Sequence, residues 1–259
     1  MAANPVTCFS DKWEFFPCYI DNKPFSVRFD TAIEKLDDET KNKFPHILEL
    51  AIKVRDVREN GLPTHAELER INKIEDKFSI GNYDIRFIGA ITGGDSVRFV
   101  FCCGSDVKDS PKSIVHDLLG SGFIKPKHDY KFLANNNFKY FYNTLAPNPY
   151  ERSWIMNRHV CTNLEKGGDD FKTPREIDFF IDFKSEEFIE SVAEKLTAQG
   201  FSEDSRNKAE SGNYSLQLTL KGIPTHDWIN GVTSDIISLL EGTDGYFDGW
   251  GCHIHKPCD

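Results

Sequence analysis

With 259 residues, the chain is longer than most single domains, so its length predicts two domains of about 100–150 residues each. A composition of 39% hydrophobic and 13% aromatic residues excludes a disordered chain, and seven irregularly spaced cysteines argue against a disulfide framework. No apolar run reaches the roughly 18 residues of a membrane-spanning helix, and the first residues lack the pattern of a signal peptide, so we expect a cytoplasmic protein.

The acidic charge is concentrated in the last third of the chain. Residues 1–168 contain 23 acidic and 23 basic residues, whereas residues 169–259 contain 18 acidic and 8 basic residues and so carry the whole net charge of −10. Such a segment repels the phosphates of nucleic acids and attracts basic surfaces. We expect a basic protein partner and no direct binding of nucleic acid, although the charge is equally typical of a domain that is acidic only to remain soluble.

The N-terminal half is predicted to combine antiparallel strands with two helices. Alternating apolar residues around turn residues predict the strands "WEFFPCYID", "FSVRFD", "LELAIKVRD" and the two halves of "YDIRFIGAITGGDSVRFVFCC". The first helix follows Thr64, which is expected to form a capping box with Glu67. The second helix follows Ser110, with Pro111 at its first position. These patterns predict an α+β domain that extends over residues 1–147.

The C-terminal half, residues 148–259, begins after the two prolines of "KYFYNTLAPNPYE" and a predicted connecting helix. It then alternates strand and helix: "REIDFFIDF", a helix capped by Ser185 and ended by Gly200, "NYSLQLTL", and a helix capped by Thr225. Each half also contains a helix that runs into a Gly-Phe pair, at residues 122–123 and 200–201, which indicates a shared topology.

Strand alternation predicts how the layers of the C-terminal half are arranged. In "NYSLQLTL" the leucines share one face, and Ser215, Gln217 and Thr219 share the other. One face of the sheet is therefore expected to be solvated while two helices cover the opposite face. We predict an α+β protein of two domains: a C-terminal ferredoxin-like two-layer α/β sandwich and a related N-terminal domain with an antiparallel sheet and helices.

The solvated face predicts a binding surface. If Phe179, Ile181 and Phe183 lie in the core, the open face displays Asp178, Phe180 and Asp182. RNA-recognition sheets need cations beside their stacked bases, and these carboxylates have the opposite charge. Two carboxylates on one strand face most often only contact solvent, which argues against acid–base catalysis. As the functional role of this face we predict contact with a protein.

Motifs of enzymes and nucleotide-binding proteins are absent from the sequence: there is no GxxxxGK[ST], GxGxxG, HExxH or GxSxG. We therefore predict no catalytic residue, no cofactor and no metal. The alternative is a small metal-binding protein or metal-dependent enzyme that uses "CHIHKPC", in which Cys252, His253, His255 and Cys258 are ligand types suited to zinc. Their spacing matches no standard zinc pattern.

The segment "GTDGYFDGWG" combines turn residues with three large rings. Two interpretations remain open. Phe247 and Trp250 close the core, or Tyr246 and Trp250 form a protein-binding patch, because such rings often dominate interface energies.

Several of these segments resemble known families. "GYFDGW", placed after "FIESVAEKLTAQGF", and "GGDDFKTPREIDFFIDF" resemble the regulator of ribonuclease E activity B family over residues 150 to 252. "YIDNKPFSVRFD", "GLPTHAELERINKIEDKF" and "FIGAITGGDSVRFVF" resemble the domain of unknown function 695 family. The resemblance implies a two-domain bacterial protein whose ferredoxin-like C-terminal half binds and inhibits an RNA-degrading endonuclease without catalysis.

The resemblance also assigns structural or interface roles within the glycine-rich segment, to Asp244, Tyr246, Asp248, Gly249 and Trp250. Together with the open sheet face, this gives a predicted partner-binding set of Asp178, Phe180, Asp182, Asp244, Tyr246, Asp248 and Trp250. We hypothesise a non-catalytic regulator that binds a basic protein partner, for which the resemblance implies a ribonuclease.

Overall fold

A computed structural model describes residues 4–80, 83–107, 110–120, 125–208 and 212–256. The chain forms two compact units, Met1–Pro147 and Asn148–Asp259. Among the described residues, none of the helices has the length and apolar character needed to cross a membrane.

The described residues of the N-terminal unit form eight strands and four α-helices. The strands are β1 (Asn4–Pro5), β2 (Trp13–Ile20), β3 (Lys23–Asp30), β4 (His46–Lys53), β5 (Ser79–Ile80), β6 (Ile85–Gly93), β7 (Ser96–Cys103) and β8 (His128–Ala134). The helices are α1 (Asp38–Asn42), α2 (His65–Glu75), α3 (Pro111–Leu118) and α4 (Lys139–Thr144). Short 3-10 turns occupy Thr31–Lys35, Ser105–Val107 and Asn136–Phe138.

Six of these strands form one antiparallel sheet in the order β2-β3-β6-β7-β4-β8, while β1 pairs with β5. Apart from the two-residue β5, which pairs with β1, the chain from β4 to β8 runs strand, helix, strand, strand, helix, strand, and these four strands lie in the order β6-β7-β4-β8. This is the ferredoxin-like arrangement, to which the β2–β3 hairpin adds two strands beside β6.

Both faces of this sheet are covered. Ile71 of α2 and Leu118 of α3 pack against Leu50 and Phe99 on one face. On the other face, the ring of Phe29 lies against Phe141 of α4, with 6.1 Å between ring centroids. The residues that close this second face are fully buried: Phe138, Phe141 and Leu145. The N-terminal sheet therefore has no open face at its centre.

In the C-terminal unit, the part of the chain that the structure describes forms three helices and four strands. The helices are α5 (Pro149–Lys166), α6 (Ile189–Ala198) and α7 (His226–Leu240). The strands are β9 (Arg175–Phe183), β10 (Ser202–Lys208), β11 (Tyr214–Gly222) and β12 (Gly245–Gly251).

After α5, the strands and helices of the C-terminal unit follow one another in the same order as those from β4 to β8 of the N-terminal unit. The antiparallel sheet of the C-terminal unit has the order β10-β11-β9-β12, so strands and helices have the same succession and the same placement in both units. The predicted α+β class, the ferredoxin-like C-terminal sandwich and the related N-terminal sheet are therefore confirmed. The Gly-Phe pair at residues 122–123, which contributed to the prediction of a shared topology, lies outside the described residues.

Several local expectations need correction. Thr64 Oγ1 accepts a hydrogen bond from Glu67 N at 3.4 Å, but the Glu67 carboxylate binds Arg55 and Arg70, so only half of the capping box forms. Helix α6 begins at Ile189 and lacks a side-chain cap, because Ser185 lies in a bend that precedes it. The complete capping box is at α5, between Asn148 and Glu151.

One buried polar group links three elements of the C-terminal unit. Asn157 of α5 is fully buried, and its Oδ1 accepts a hydrogen bond from Trp250 Nε1 of β12 at 2.8 Å. Its Nδ2 donates to Asn230 Oδ1 at 2.8 Å and to Thr233 Oγ1 at 2.9 Å, both on α7. Because a buried polar group without a partner is costly, this amide fixes α5, α7 and β12 relative to one another.

The C-terminal tail is held by the segment that leads into β9. Asp169 is buried and accepts hydrogen bonds from the Arg175 guanidinium and from His255 N, the latter at 3.0 Å. Asp170 accepts from Lys172 N at 2.9 Å and contacts His255 Nδ1 at 3.3 Å. The hydrogen bond from Lys172 N, followed by those from Thr173, lowers the pKa of Asp170 to about 2.

Replacing Asn157 by Ala should destabilise the C-terminal unit by roughly 3 kcal/mol, because Trp250 Nε1 and Thr233 Oγ1 lose a buried partner and a cavity forms. Asn230→Ala removes one of these bonds and should cost about 1 kcal/mol. Urea unfolding followed by tryptophan fluorescence measures both. Equal losses for the two variants would contradict the central role of Asn157.

Asp170 should make unfolding sensitive to acid. Its folded pKa is lowered, so its stabilising effect is present above its ordinary pKa and is lost as the pH falls toward about 2. Between pH 5 and pH 2, the free energy of unfolding of Asp170→Asn should therefore fall less steeply than that of the unmodified protein. Asp235→Asn, at an exposed position on α7, is the control and should keep the original slope.

Candidate functional site

The second face of the C-terminal sheet is not covered as it is in the N-terminal unit. Along β9, burial alternates: the residues that face α6 and α7 are fully buried, namely Ile177, Phe179, Ile181 and Phe183. Between them, Asp178, Phe180 and Asp182 remain partly exposed on the opposite face. The alternation predicted from the sequence is therefore present, with the two faces as expected.

Neighbouring strands add polar groups and one ring to this face. Strand β11 places Thr219 opposite Asp178 and Gln217 opposite Phe180. Strand β12 places Tyr246 opposite Asp182, and its hydroxyl donates a hydrogen bond to Asp182 Oδ2 at 3.0 Å. This bond and the negative charge of Asp182 raise the pKa of Tyr246. We call the surface formed by Asp178, Phe180, Asp182 and Tyr246 the open face.

The spacing of the two carboxylates suits binding better than acid–base chemistry. Asp178 and Asp182 are four residues apart on one strand, which corresponds to roughly 13 Å at about 3.3 Å per residue. Paired carboxylates that act on one bond lie within about 10 Å of each other. Two separated negative charges beside exposed ring surface instead form a platform that can meet two cations of a partner.

The "GYFDGW" segment is divided between surface and core. Tyr246 is 46% exposed, Asp248 is the extra exposed residue of a β-bulge, and Phe247 packs against the core. Trp250 is only 6% exposed, so its predicted place at a partner interface is corrected: the indole N–H needs a buried acceptor, which Asn157 provides. Asp244 lies partly buried in the turn before β12 and not on the open face.

A groove that the sequence did not predict adjoins Tyr246. It has a volume of about 550 Å³ and lies between the start of α5, the end of α7 and the start of β12. Its walls are mainly apolar, with Ile237, Leu240 and Phe247 contributing side chains. At its rim, Tyr150 is 36% exposed and donates a hydrogen bond to Glu241 Oε1 at 2.7 Å. We call it the aromatic groove.

Tyr246 connects the two features, since it lines the aromatic groove and binds Asp182 of the open face. The result is one continuous surface that offers carboxylates on the sheet and an apolar depression at its edge. Interfaces commonly combine charged groups that orient a partner with a pocket that receives an anchoring side chain. The arrangement can therefore bind a protein that presents cations and a large apolar side chain.

The described members of the tail's Cys/His cluster, Cys252, His253 and His255, do not assemble into a metal site. Cys252 Sγ accepts from Arg175 Nε at 3.4 Å, His255 contacts Asp170, and His253 is exposed. Cys258 lies outside the described residues. Among the residues that are described, no three His, Cys, Asp or Glu side chains come close enough together to hold a metal ion. Cys252 and His255 instead hold the tail against the first residue of β9 and the segment before it.

Both parts of the chain are similar to known protein families. Residues 11–118 match the model of a family of unknown function, DUF695, and residues 154–252 match the regulator of ribonuclease activity B. No curated protein matches the chain. Among solved structures, a protein assigned as a glycine cleavage system transcriptional repressor aligns with 81% of this chain and 98% of its own, at 9% identity and a TM-score of 0.24.

The two family matches fall on the two structural units in the order that the sequence motifs indicated. The second match covers the whole ferredoxin-like sheet of the C-terminal unit, including β9, β12 and Trp250. The chain thus joins a part that is similar to the DUF695 family of unknown function to a part that is similar to the regulator of ribonuclease activity B.

Proposed function

We propose that this chain is a cytoplasmic, non-catalytic regulator whose C-terminal unit binds a ribonuclease through the open face and the aromatic groove. The observation that carries the proposal is the partly exposed acidic face of the C-terminal sheet. The match to the regulator of ribonuclease activity B supplies the class of partner.

The comparison of the two units supports this assignment. The N-terminal sheet has the same strand order at its centre, yet Phe138, Phe141 and Leu145 cover its second face. An exposed second face is therefore not a requirement of the topology. In the C-terminal unit that face holds two carboxylates and two rings, a composition that suits contact with another protein.

Charge favours a basic partner. Residues 169–259 carry 18 acidic and 8 basic residues, and Asp178 and Asp182 concentrate negative charge on the open face. RNA-binding surfaces of ribonucleases need cations to hold phosphates, so an acidic surface can compete with RNA for them. Charges at a solvated surface mainly accelerate association, and we assign most of the affinity to an apolar anchor in the aromatic groove.

The test measures binding of the full chain to a purified RNA-degrading endonuclease from the same cells, together with inhibition of RNA cleavage. In Asp178→Lys/Asp182→Lys, two attractive contacts become repulsive, so the Kd should rise at least about tenfold and inhibition should fall in parallel. Binding of the unmodified chain should weaken as salt is raised.

Glu194→Lys/Asp235→Lys is the matched control, because it changes the net charge equally at exposed positions of α6 and α7. It should leave the Kd within about twofold, since these helices cover the opposite face of the sheet. If both double variants raised the Kd equally, binding would depend on the net charge of the chain and not on the open face. Absence of any binding to the endonuclease would reject the proposal.

A further inference from the structure

The N-terminal unit contains a second groove, lined by four basic side chains. It has a volume of about 470 Å³, within the range of a few hundred to about 1,000 Å³ that small ligands occupy. Its cations are Arg55, Arg70, Lys73 and Lys77, and the described residues of its lining include no carboxylate. Ile74 and Leu119 contribute apolar wall. We call it the basic groove.

Helix α2 and the turn after it concentrate these cations on one stripe. Arg70, Lys73 and Lys77 follow one another at intervals of three and four residues, which places them on the same side of a helix. Arg55 joins them from the segment after β4. Lys73, Lys77 and Arg55 are exposed, and within the described part of the chain neither lysine takes part in an ion pair.

A buried carboxylate fixes the arginine of this stripe. Arg70 donates to Glu67 through Nε at 2.8 Å and Nη2 at 2.7 Å, and Nη2 also reaches Lys53 O at 3.2 Å. Glu67 is only 5% exposed and accepts from Arg55 N as well. In the described structure Nη1 of Arg70 makes no hydrogen bond, so a held guanidinium retains two donors. The paired Nε and Nη2 donors are taken up by Glu67, so the Nη1 donors are those that remain for a phosphate oxygen.

Stabilisation of the helix does not account for this cluster. Cations near the C-terminal end of a helix interact favourably with its dipole, and this applies to Lys73 and Lys77. However, like charges at spacings of three and four residues repel each other and weaken the helix. The dipole also gives no reason for Arg55 or for the apolar wall. An anion bound among the four side chains would relieve this repulsion.

We propose that the basic groove binds nucleotide phosphates, either of a free nucleotide or of an RNA chain. The cations pair with phosphate oxygens, and the apolar wall beside Ile74 and Leu119 receives the flat face of a base. The expectation that nucleic acid is not bound directly rests on the acidic C-terminal residues, and it does not extend to this unit. The proposal is independent of ribonuclease binding by the open face.

The experiment uses the full chain with two probes, ATP and a fluorescein-labelled oligouridine, and measures Kd by calorimetry and by fluorescence anisotropy. In Lys73→Ala/Lys77→Ala the loss of two phosphate contacts should raise Kd about tenfold or more. For oligouridine, the slope of log K against log salt should also decrease in magnitude by about 1.4. Both lysines are exposed, and thermal unfolding verifies that the variant is folded.

Lys112→Ala/Lys139→Ala removes two exposed lysines elsewhere in the same unit and should change neither quantity. If ATP binds and only Lys73→Ala/Lys77→Ala raises its Kd, the groove is assigned to free nucleotides. If oligouridine alone binds in this way, the groove is assigned to RNA. The proposal is overturned if neither probe binds, if both double variants weaken binding equally, or if polyglutamate competes as strongly as the nucleotides. Binding to the endonuclease should be unaffected by Lys73→Ala/Lys77→Ala, which separates this proposal from the previous one.

Discussion

The hydrogen bond between the Trp250 indole and Asn157 determines how the C-terminal unit presents its surface. A large ring with a polar N–H can be buried only beside an acceptor, and the single amide that accepts it also binds α7. The edge strand β12 and the helices α5 and α7 are therefore fixed relative to one another. Because the aromatic groove lies between these same three elements, its shape depends on a contact that no partner touches.

Two copies of one topology serve different purposes in this chain. In the N-terminal unit, α4 and its neighbours cover the second face of the sheet. The exposed feature of this unit, the basic groove, lies instead on the outer side of helix α2. In the C-terminal unit the sheet itself is exposed and acidic. The units thus differ in charge and in the layer that meets the solvent, which is consistent with two ligands of opposite charge.

Local patterns predicted well those features that depend on neighbouring residues. The alternation of β9 correctly separated Asp178 and Asp182 from the core, because strand geometry alone determines it. For Trp250 the sequence left a core and an interface position open, and its buried acceptor could not be found because Asn157 is 93 residues away in the sequence. Strand β10, "SEDSRNK", was missed because it is polar throughout and joins the sheet by backbone pairing. The aromatic groove was missed because its walls come from three separate segments. Helix α5 was predicted to begin after "KYFYNTLAPNPYE", but it begins within that segment, at Pro149.

The bulge in β12 limits how a partner can attach. Asp248 interrupts the ladder between Phe247 and Gly249, and Gly249 has a φ of 153°, which other residues rarely adopt. A charged bulge on an edge strand prevents regular backbone pairing with an added strand. Recognition by β-augmentation is thereby disfavoured at this edge, so a partner is left to bind through side chains across the sheet. The same feature protects the protein from edge-to-edge aggregation, although its neighbouring sheet face is exposed.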